Sequence, residues 1–289
     1  MKILVTGAQG QIGHELRRTF APLGEVIACD RAALDLADPE AIRHVVRATK
    51  PKLIVNAGAY TAVDKAESEP ALAMAINGLA PGILAEEARR IGGSIIHYST
   101  DYVFDGDKPE PYVEDDTPNP MSVYGRTKLA GEQAVAAAGA PYLIFRTSWI
   151  YGNRGRNFLL TIQRLATERG ELRVVSDQKG APTWSRLVAE ATALAAARTR
   201  GQFHDVSGIY HLTCAGCASW HDFARAIVDN LPPRADGVIP RVHPISTSEY
   251  PTPAHRPKNS VLSCTRAKER LGVELPAWEV GMALCIDKG

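Results

Sequence analysis

The chain has 289 residues, 45% apolar and 22% charged, with a formal net charge of +1. That composition fits a globular protein that buries a substantial core as one large or two modest domains. It offers no electrostatic basis for nucleic acid or an anionic membrane as a partner. No apolar run approaches the ~20 residues that span a bilayer, and Ile3-Leu4-Val5 is too short for a signal-peptide core. Five scattered cysteines suit a reducing, cytoplasmic setting.

Lys2 to Thr6 reads as a short buried strand. It breaks into Gly7-Ala8-Gln9-Gly10-Gln11-Ile12-Gly13, after which Glu15 to Phe20 takes up a helical pattern. Glycines at such a turn let the backbone approach a ligand, and a helix N-terminus then offers free N–H groups and positive dipole to a pyrophosphate. A second strand, Glu25 to Cys29, ends at Asp30, where an acid holds a ribose diol. Asp30 favours the free 2′-hydroxyl of NAD, whereas Arg31 beside it suits the 2′-phosphate of NADP, so both cofactors stay open.

Asp35-Leu36 lies in the following loop, Pro39 to Thr49 reads as a helix, and Leu53 to Asn56 as a third strand. That strand runs into Ala57-Gly58-Ala59, small residues that allow close backbone passage beside a flat cofactor. Leu72 to Ile91 reads as one long helix closed by Gly92-Gly93. A fourth strand, Ser94 to Tyr98, delivers Ser99-Thr100-Asp101 at its C-terminal end, where open parallel sheets bind ligands.

Asn119-Pro120 then precedes a helix from about Val123 to Ala138, with Gly139 as its left-handed cap. Tyr124 and Lys128 stand four apart on it and share a face. A cation beside a phenol favours the phenolate and lowers a pKa that is ordinarily ~10. The pair therefore reads as a general acid or base for an alcohol or ketone, with a plain surface helix as the alternative. Tyr142 to Thr147 is a further strand, feeding Ser148-Trp149-Ile150.

After residue 150 the rhythm changes: a basic loop and helix over Asn153 to Gly170, strands at Leu172 to Val175 and Gly208 to Leu212, helices at Val188 to Ala197 and Trp220 to Leu231, then a proline-rich tail. Cys214 and Cys217 form Cys-x-x-Cys without a second pair, and read as packing thiols rather than a zinc or redox site. The expected architecture is α/β: a Rossmann-like doubly wound parallel sheet with a smaller C-terminal α/β substrate-binding domain. Residues 1–150, with parts of 172–199, form the NAD(P)-binding unit; 151–171 and 200–289 form the cap and interleave with it.

The glycine turn, Asp30, Ser99-Thr100 and the Tyr124–Lys128 pair fall in the order of the extended short-chain dehydrogenase/reductases. Longer strings resemble the dTDP-4-dehydrorhamnose reductases over nearly the whole chain: Asn56 to Glu67, His97 to Gly106, Phe145 to Trp149, Asp177 to Thr183 and Tyr250 to Pro257. The resemblance implies reduction of the 4-keto group of dTDP-4-dehydro-L-rhamnose by NADPH or NADH, the last step in making dTDP-L-rhamnose. It implies a cofactor site of Gly7, Gly10, Gln11, Ile12, Gly13, Asp30, Arg31, Asp35, Leu36, Ala57, Ala59, Tyr60 and Thr61, with Tyr124 and Lys128. Tyr124 is then the acid, Lys128 its tuning partner and a ligand of the nicotinamide ribose, and Thr100 the residue that orients the carbonyl. Thr100, Asp101, Trp149 and Arg256 are expected at the substrate, Arg256 with local ion pairing as its alternative. Arg154, Arg156 and Lys179 are candidates for the pyrophosphate, with solvated loop charge as the other reading.

Some members of the family are magnesium-linked dimers, and Glu15 matches one such position, but the end from Leu284 to Gly289 supplies no second ligand. The sequence therefore supports no metal site, and it leaves monomer and homodimer open. Two rivals stand beside the reductase. One is a non-enzymatic binding subunit like the regulatory subunit of methionine adenosyltransferase. The other is a nucleotide-sugar epimerase or dehydratase that keeps its NAD.

Overall fold

A computed structural model describes residues 1–199, 202–233, 237 and 239–286. Its centre is a sheet of short apolar strands: β1 (Lys2–Thr6), β2 (Glu25–Cys29), β3 (Leu53–Asn56), β4 (Ser94–Thr100) and β5 (Tyr142–Thr147). All four residues of β3 are buried, as expected of a strand covered on both faces. Side-chain alternation sends Ile3 and Val5 into one core layer and Leu4 into the other.

Helix α1 (Gln11–Thr19) covers the first face, and α2 (Pro39–Thr49) the second. Asp38 caps α2 by accepting from the Glu40 and Ala41 N–H groups at 2.9 and 3.1 Å. The chain runs outward from β1 to β2 and then crosses back to β3. A ligand crevice belongs at that switch point, beyond the carboxyl ends of the strands.

The long helix expected from Leu72 to Ile91 is interrupted. It runs as α3 (Pro70–Met74), a π-turn at Ala75–Leu79 and α4 (Ala80–Arg90). Pro81 has no N–H for the Asn77 carbonyl, and its ring would clash with that carbonyl in a regular helix. Widening the turn relieves the clash and turns the Asn77 side chain toward Tyr60. Helix α5 (Val123–Ala137) starts at Ser122, whose hydroxyl accepts from the Gly125 N–H at 3.1 Å. It packs on α4.

The C-terminal part begins with α6 (Phe158–Glu168), β6 (Glu171–Val175) and α7 (Ser185–Arg198). It continues with β7 (Gly208–His211), α8 (Trp220–Asp229) and β8 (Arg241–Ile245), and closes with α9 (Thr265–Leu271) and α10 (Trp278–Ile286). One assignment differs from expectation. Strand β7 was placed with the cap but pairs in parallel with β5, giving six parallel strands in the order β7-β5-β4-β3-β1-β2. Helix α7 packs on α1 and so returns the chain to the sheet edge. β6 pairs with β8 in a separate two-stranded sheet of the cap. A four-residue strand carries no sign of which sheet it joins. The expected boundary at residue 200 and the last three residues lie outside the described residues.

Candidate active site

A cleft of about 830 Å³ opens at the switch point. Gly7 sits at φ +65°, and a Cβ on it would stand 2.6 Å from the Gly58 nitrogen, so the turn after β1 needs glycine there. A Cβ on Gly13 would collide with the Gly7 carbonyl, which is why α1 can pack so tightly under the turn. No side chain caps α1, so the first-turn N–H groups of Gln11 and Ile12 face the cleft unclaimed.

At the end of β2, Asp30 Oδ1 accepts from the Ala32 and Ala33 N–H groups, both at 3.0 Å. The Ala33 bond foremost, with the Gln9 side chain and the Ala32 N–H behind it, holds the carboxyl below its usual range, so it meets the cleft ionised, as a ribose diol requires. Arg31 is exposed, 4.0 Å from Asp35, and stands available to a phosphate. Leu36, Ala57, Ala59, Tyr60 and Thr61 line the same wall. Asn77 fixes Tyr60 by accepting from its N–H at 2.8 Å and donating to its carbonyl at 3.0 Å. The donors and acceptors thus match a dinucleotide along its length.

Tyr124, Thr100 and Lys128 meet at the inner end. The Thr100 hydroxyl donates to Asp101 Oδ1 at 3.0 Å and shares the inner end of the cleft with the Tyr124 phenol. Asp101 also accepts from Ser148 at 2.9 Å. Burial pushes its carboxyl up to about 6, against the opposing hydrogen bonds of Ser260, Ser148 and Thr100.

The expected tuning of Tyr124 by Lys128 is not what the structure shows. Burial pushes the phenol up to about 12, with the Thr100 hydroxyl pulling the other way. Lys128 Nζ instead donates to the Tyr98 carbonyl at 2.5 Å and lies 3.3 Å from His97 Nε2. Burial pushes Lys128 down to about 8. The i, i+4 spacing sets both side chains on one face, but β4 supplies each with a different partner.

Trp149 lines the outer cleft at φ +47° and stacks on Trp220, ring centroids 3.5 Å apart and 6° from parallel. Trp220 was legible only as the first residue of an amphipathic helix, because its role depends on a partner far away in sequence. Gln9, Leu34, Ile76, Tyr102 and Thr147 are further lining residues that the sequence reading did not single out. Arg256 is absent from the cleft wall. Its Nη2 donates to Asp64 at 2.9 Å, so the ion-pairing alternative is the one that forms. Arg156 borders the cleft, whereas Arg154 and Lys179 do not.

The Glu15 carboxylate is taken by Arg186 at 3.1 Å and Arg18 at 3.4 Å. Among the described residues no group of three His, Cys, Asp or Glu side chains is placed to hold a metal ion. Cys214 is a buried thiol, pushed up to about 11 by burial, whereas Cys217 is exposed and so is not a packing thiol. Among the described residues no helix is long and apolar enough to cross a membrane.

Residues 1–289 match the family model described as the RmlD substrate binding domain, and the chain belongs to that family. It is 52% identical to a dTDP-4-dehydrorhamnose reductase of Burkholderia thailandensis, over 99% of this chain and 98% of that one. A crystal structure of the dTDP-4-dehydrorhamnose reductase of Clostridium acetobutylicum superposes with a TM-score of 0.90 at 39% identity, covering 99% of each chain. That of Bacillus anthracis, solved in complex with NADP, gives 0.89 at 34% identity, covering 100% of this chain and 99% of that one.

Proposed function

We propose that this chain reduces dTDP-4-dehydro-β-L-rhamnose to dTDP-L-rhamnose with NADPH or NADH. Full-length likeness to reductases of that name supports the substrate. The observation that carries the chemistry is the meeting of Tyr124, Thr100 and Asp101 at the inner end of the cleft that also holds the uncapped α1 N-terminus and the Asp30 carboxylate.

In this reading Gly7, Gly10, Gln11, Ile12 and Gly13 hold the pyrophosphate, Asp30 holds the adenosine ribose, and Arg31 accommodates a 2′-phosphate when one is present. When bound, the reduced nicotinamide supplies the hydride that adds to C4 of the sugar. Tyr124 gives its proton to the C4 oxygen as negative charge develops there. Thr100 then turns its own proton from Asp101 to the phenolate, which holds that charge until solvent restores the acid. Lys128 would hold the nicotinamide ribose, and Trp149 would pack against the nucleotide sugar. Asp101 acts through Thr100 and Ser148, since both its oxygens are already engaged. Oligomeric state, monomer or homodimer, and a cytoplasmic setting belong to the same proposal. Sedimentation and cell fractionation read them.

The test is oxidation of NADPH and NADH with the keto-sugar nucleotide, expected at one cofactor per sugar. Tyr124→Phe should lose about 100- to 10,000-fold in kcat while binding cofactor normally. No turnover by folded wild-type protein would favour the binding-subunit rival. Tightly retained NAD that is regenerated in each cycle would favour the epimerase or dehydratase.

A further inference from the structure

Beneath the cleft a buried chain of polar side chains leads from the Gly58 turn to Lys128. It starts at the Gly58 N–H, which donates to Thr6 Oγ1 at 3.1 Å. Thr6 Oγ1 lies 2.6 Å from Asn56 Oδ1, and the Asn56 amide nitrogen lies 3.0 Å from His97 Nδ1. His97 Nε2 closes the chain 3.3 Å from Lys128 Nζ. Thr6, Asn56, His97 and Lys128 are each at most 2% exposed, so every donor and acceptor must find its partner within the protein.

The inventory of hydrogens gives this chain a direction. A backbone N–H can only donate, so Thr6 Oγ1 accepts from Gly58. The one remaining partner of the Thr6 hydroxyl proton is Asn56, whose facing atom must then be the carbonyl oxygen. That turns the Asn56 amide N–H toward His97 Nδ1, which must accept. A neutral imidazole with an unprotonated Nδ1 carries its proton on Nε2, and that proton points at Lys128. Full burial alone holds the His97 ring neutral. An ammonium on Lys128 would thus set N–H against N–H on this side, with only the Tyr98 carbonyl to accept from it. A neutral amine accepts from His97, donates to Tyr98 and leaves no conflict.

We propose that His97, fixed as its Nε2–H tautomer by Asn56 and Thr6, is a positioning residue that favours the neutral amine of Lys128 in the ligand-free protein. A ribose held at Lys128 would supply hydroxyl acceptors that an ammonium requires. The titratable and charged groups around Lys128 are His97 from β4, Tyr124 and Glu132 from α5, and Arg146 from β5, the last paired with Glu132 at 2.7 Å. Burial and the His97 N–H both disfavour the charge on Lys128, while Glu132 favours it. The proposal rests on the reading of Lys128 as the ribose and phenol partner. Its first test does not.

That test is nitrogen-15 NMR of histidine-labelled, ligand-free protein at neutral pH, with the His97 signals identified as those missing from His97→Gln. A neutral ring protonated at Nε2 is expected. An Nδ1–H tautomer or an imidazolium overturns the proposal, whatever the enzyme assays show. The second test is Thr6→Val, which frees the Asn56 amide to turn over and His97 to take the other tautomer. Lys128 then gains an acceptor, and the limb of the kcat–pH profile that follows it should move up by about one unit. A role in packing alone would lower kcat at every pH without moving that limb. An unmoved limb in folded Thr6→Val, with or without a changed tautomer, overturns the link to Lys128. Should the variant fail to fold, the wild-type tautomer decides the matter.

Discussion

Replacing Asp101 with Asn asks how much free energy the inner end of the cleft stores as a buried carboxylate. Asp101 is 2% exposed, and burial moves its carboxyl from 3.8 to about 6. That is about two units, or roughly 3 kcal/mol at ~1.4 kcal/mol per unit. Because the folded-state value lies above the unfolded one, the favourable contribution is complete below pH 3.8 and is lost as pH rises through about 6. Above that, the folded chain must hold a charge that the unfolded chain holds in water. Asp101→Asn keeps an acceptor for Thr100 and never ionises. The stability of wild type minus that of the variant should therefore fall by up to roughly 3 kcal/mol between about pH 4 and pH 7. Urea unfolding at fixed ionic strength across that range measures it. Parallel curves for the two proteins would refute the reasoning, because they would mean that Asp101 ionises as easily folded as unfolded.

Two other changes probe the packing behind the site. Arg146 and Glu132 form a bidentate pair at 2.9 and 2.7 Å, with both side chains 2% exposed and the guanidinium over the Phe104 ring. Arg146→Met strands the Glu132 charge and should cost about 3–5 kcal/mol in urea unfolding, most of it recovered when Glu132→Leu is added. A Cβ on Gly180 would collide with the Trp149 indole. Gly180→Ala should therefore raise KM for the sugar nucleotide about tenfold, near 1.4 kcal/mol, and leave cofactor affinity unchanged, as read by steady-state kinetics and cofactor titration.

The Rossmann-like half was legible because its signals are local. Apolar runs of four to seven residues, each followed by a helical pattern, give β1 to β5 their order, and the glycine turn, Asp30 and Thr100 sit at strand ends where position alone suggests a role. What escaped depends on contacts between distant segments. The membership of β7 in the sheet, Trp220 stacking on Trp149, and the choice of Arg256 for Asp64 are each decided by a partner about 60 to 190 residues away. The π-turn at Ala75–Leu79 was within reach, since Pro81 four residues after Asn77 conflicts with a regular helix.

The most instructive difference concerns the phenol. Spacing along α5 suggests that Lys128 makes Tyr124 a stronger acid, yet burial makes it a weaker one, at about 12. For a reductase this is no handicap. An alcohol holds its proton about as firmly as water does, ~15.7 in bulk, so a phenol near 12 still gives its proton downhill to a forming alkoxide. Five units above neutral pH, only about one molecule in 10⁵ lacks that proton when the ketone arrives. Alcohol oxidation needs the phenolate and meets the opposite condition, with the base nearly always missing. Burial of Tyr124 over Thr100, with Lys128 engaged by Tyr98 and His97, therefore favours proton donation over proton abstraction. The resting protonation state of the acid is set by where two side chains of one helix face find their partners on β4.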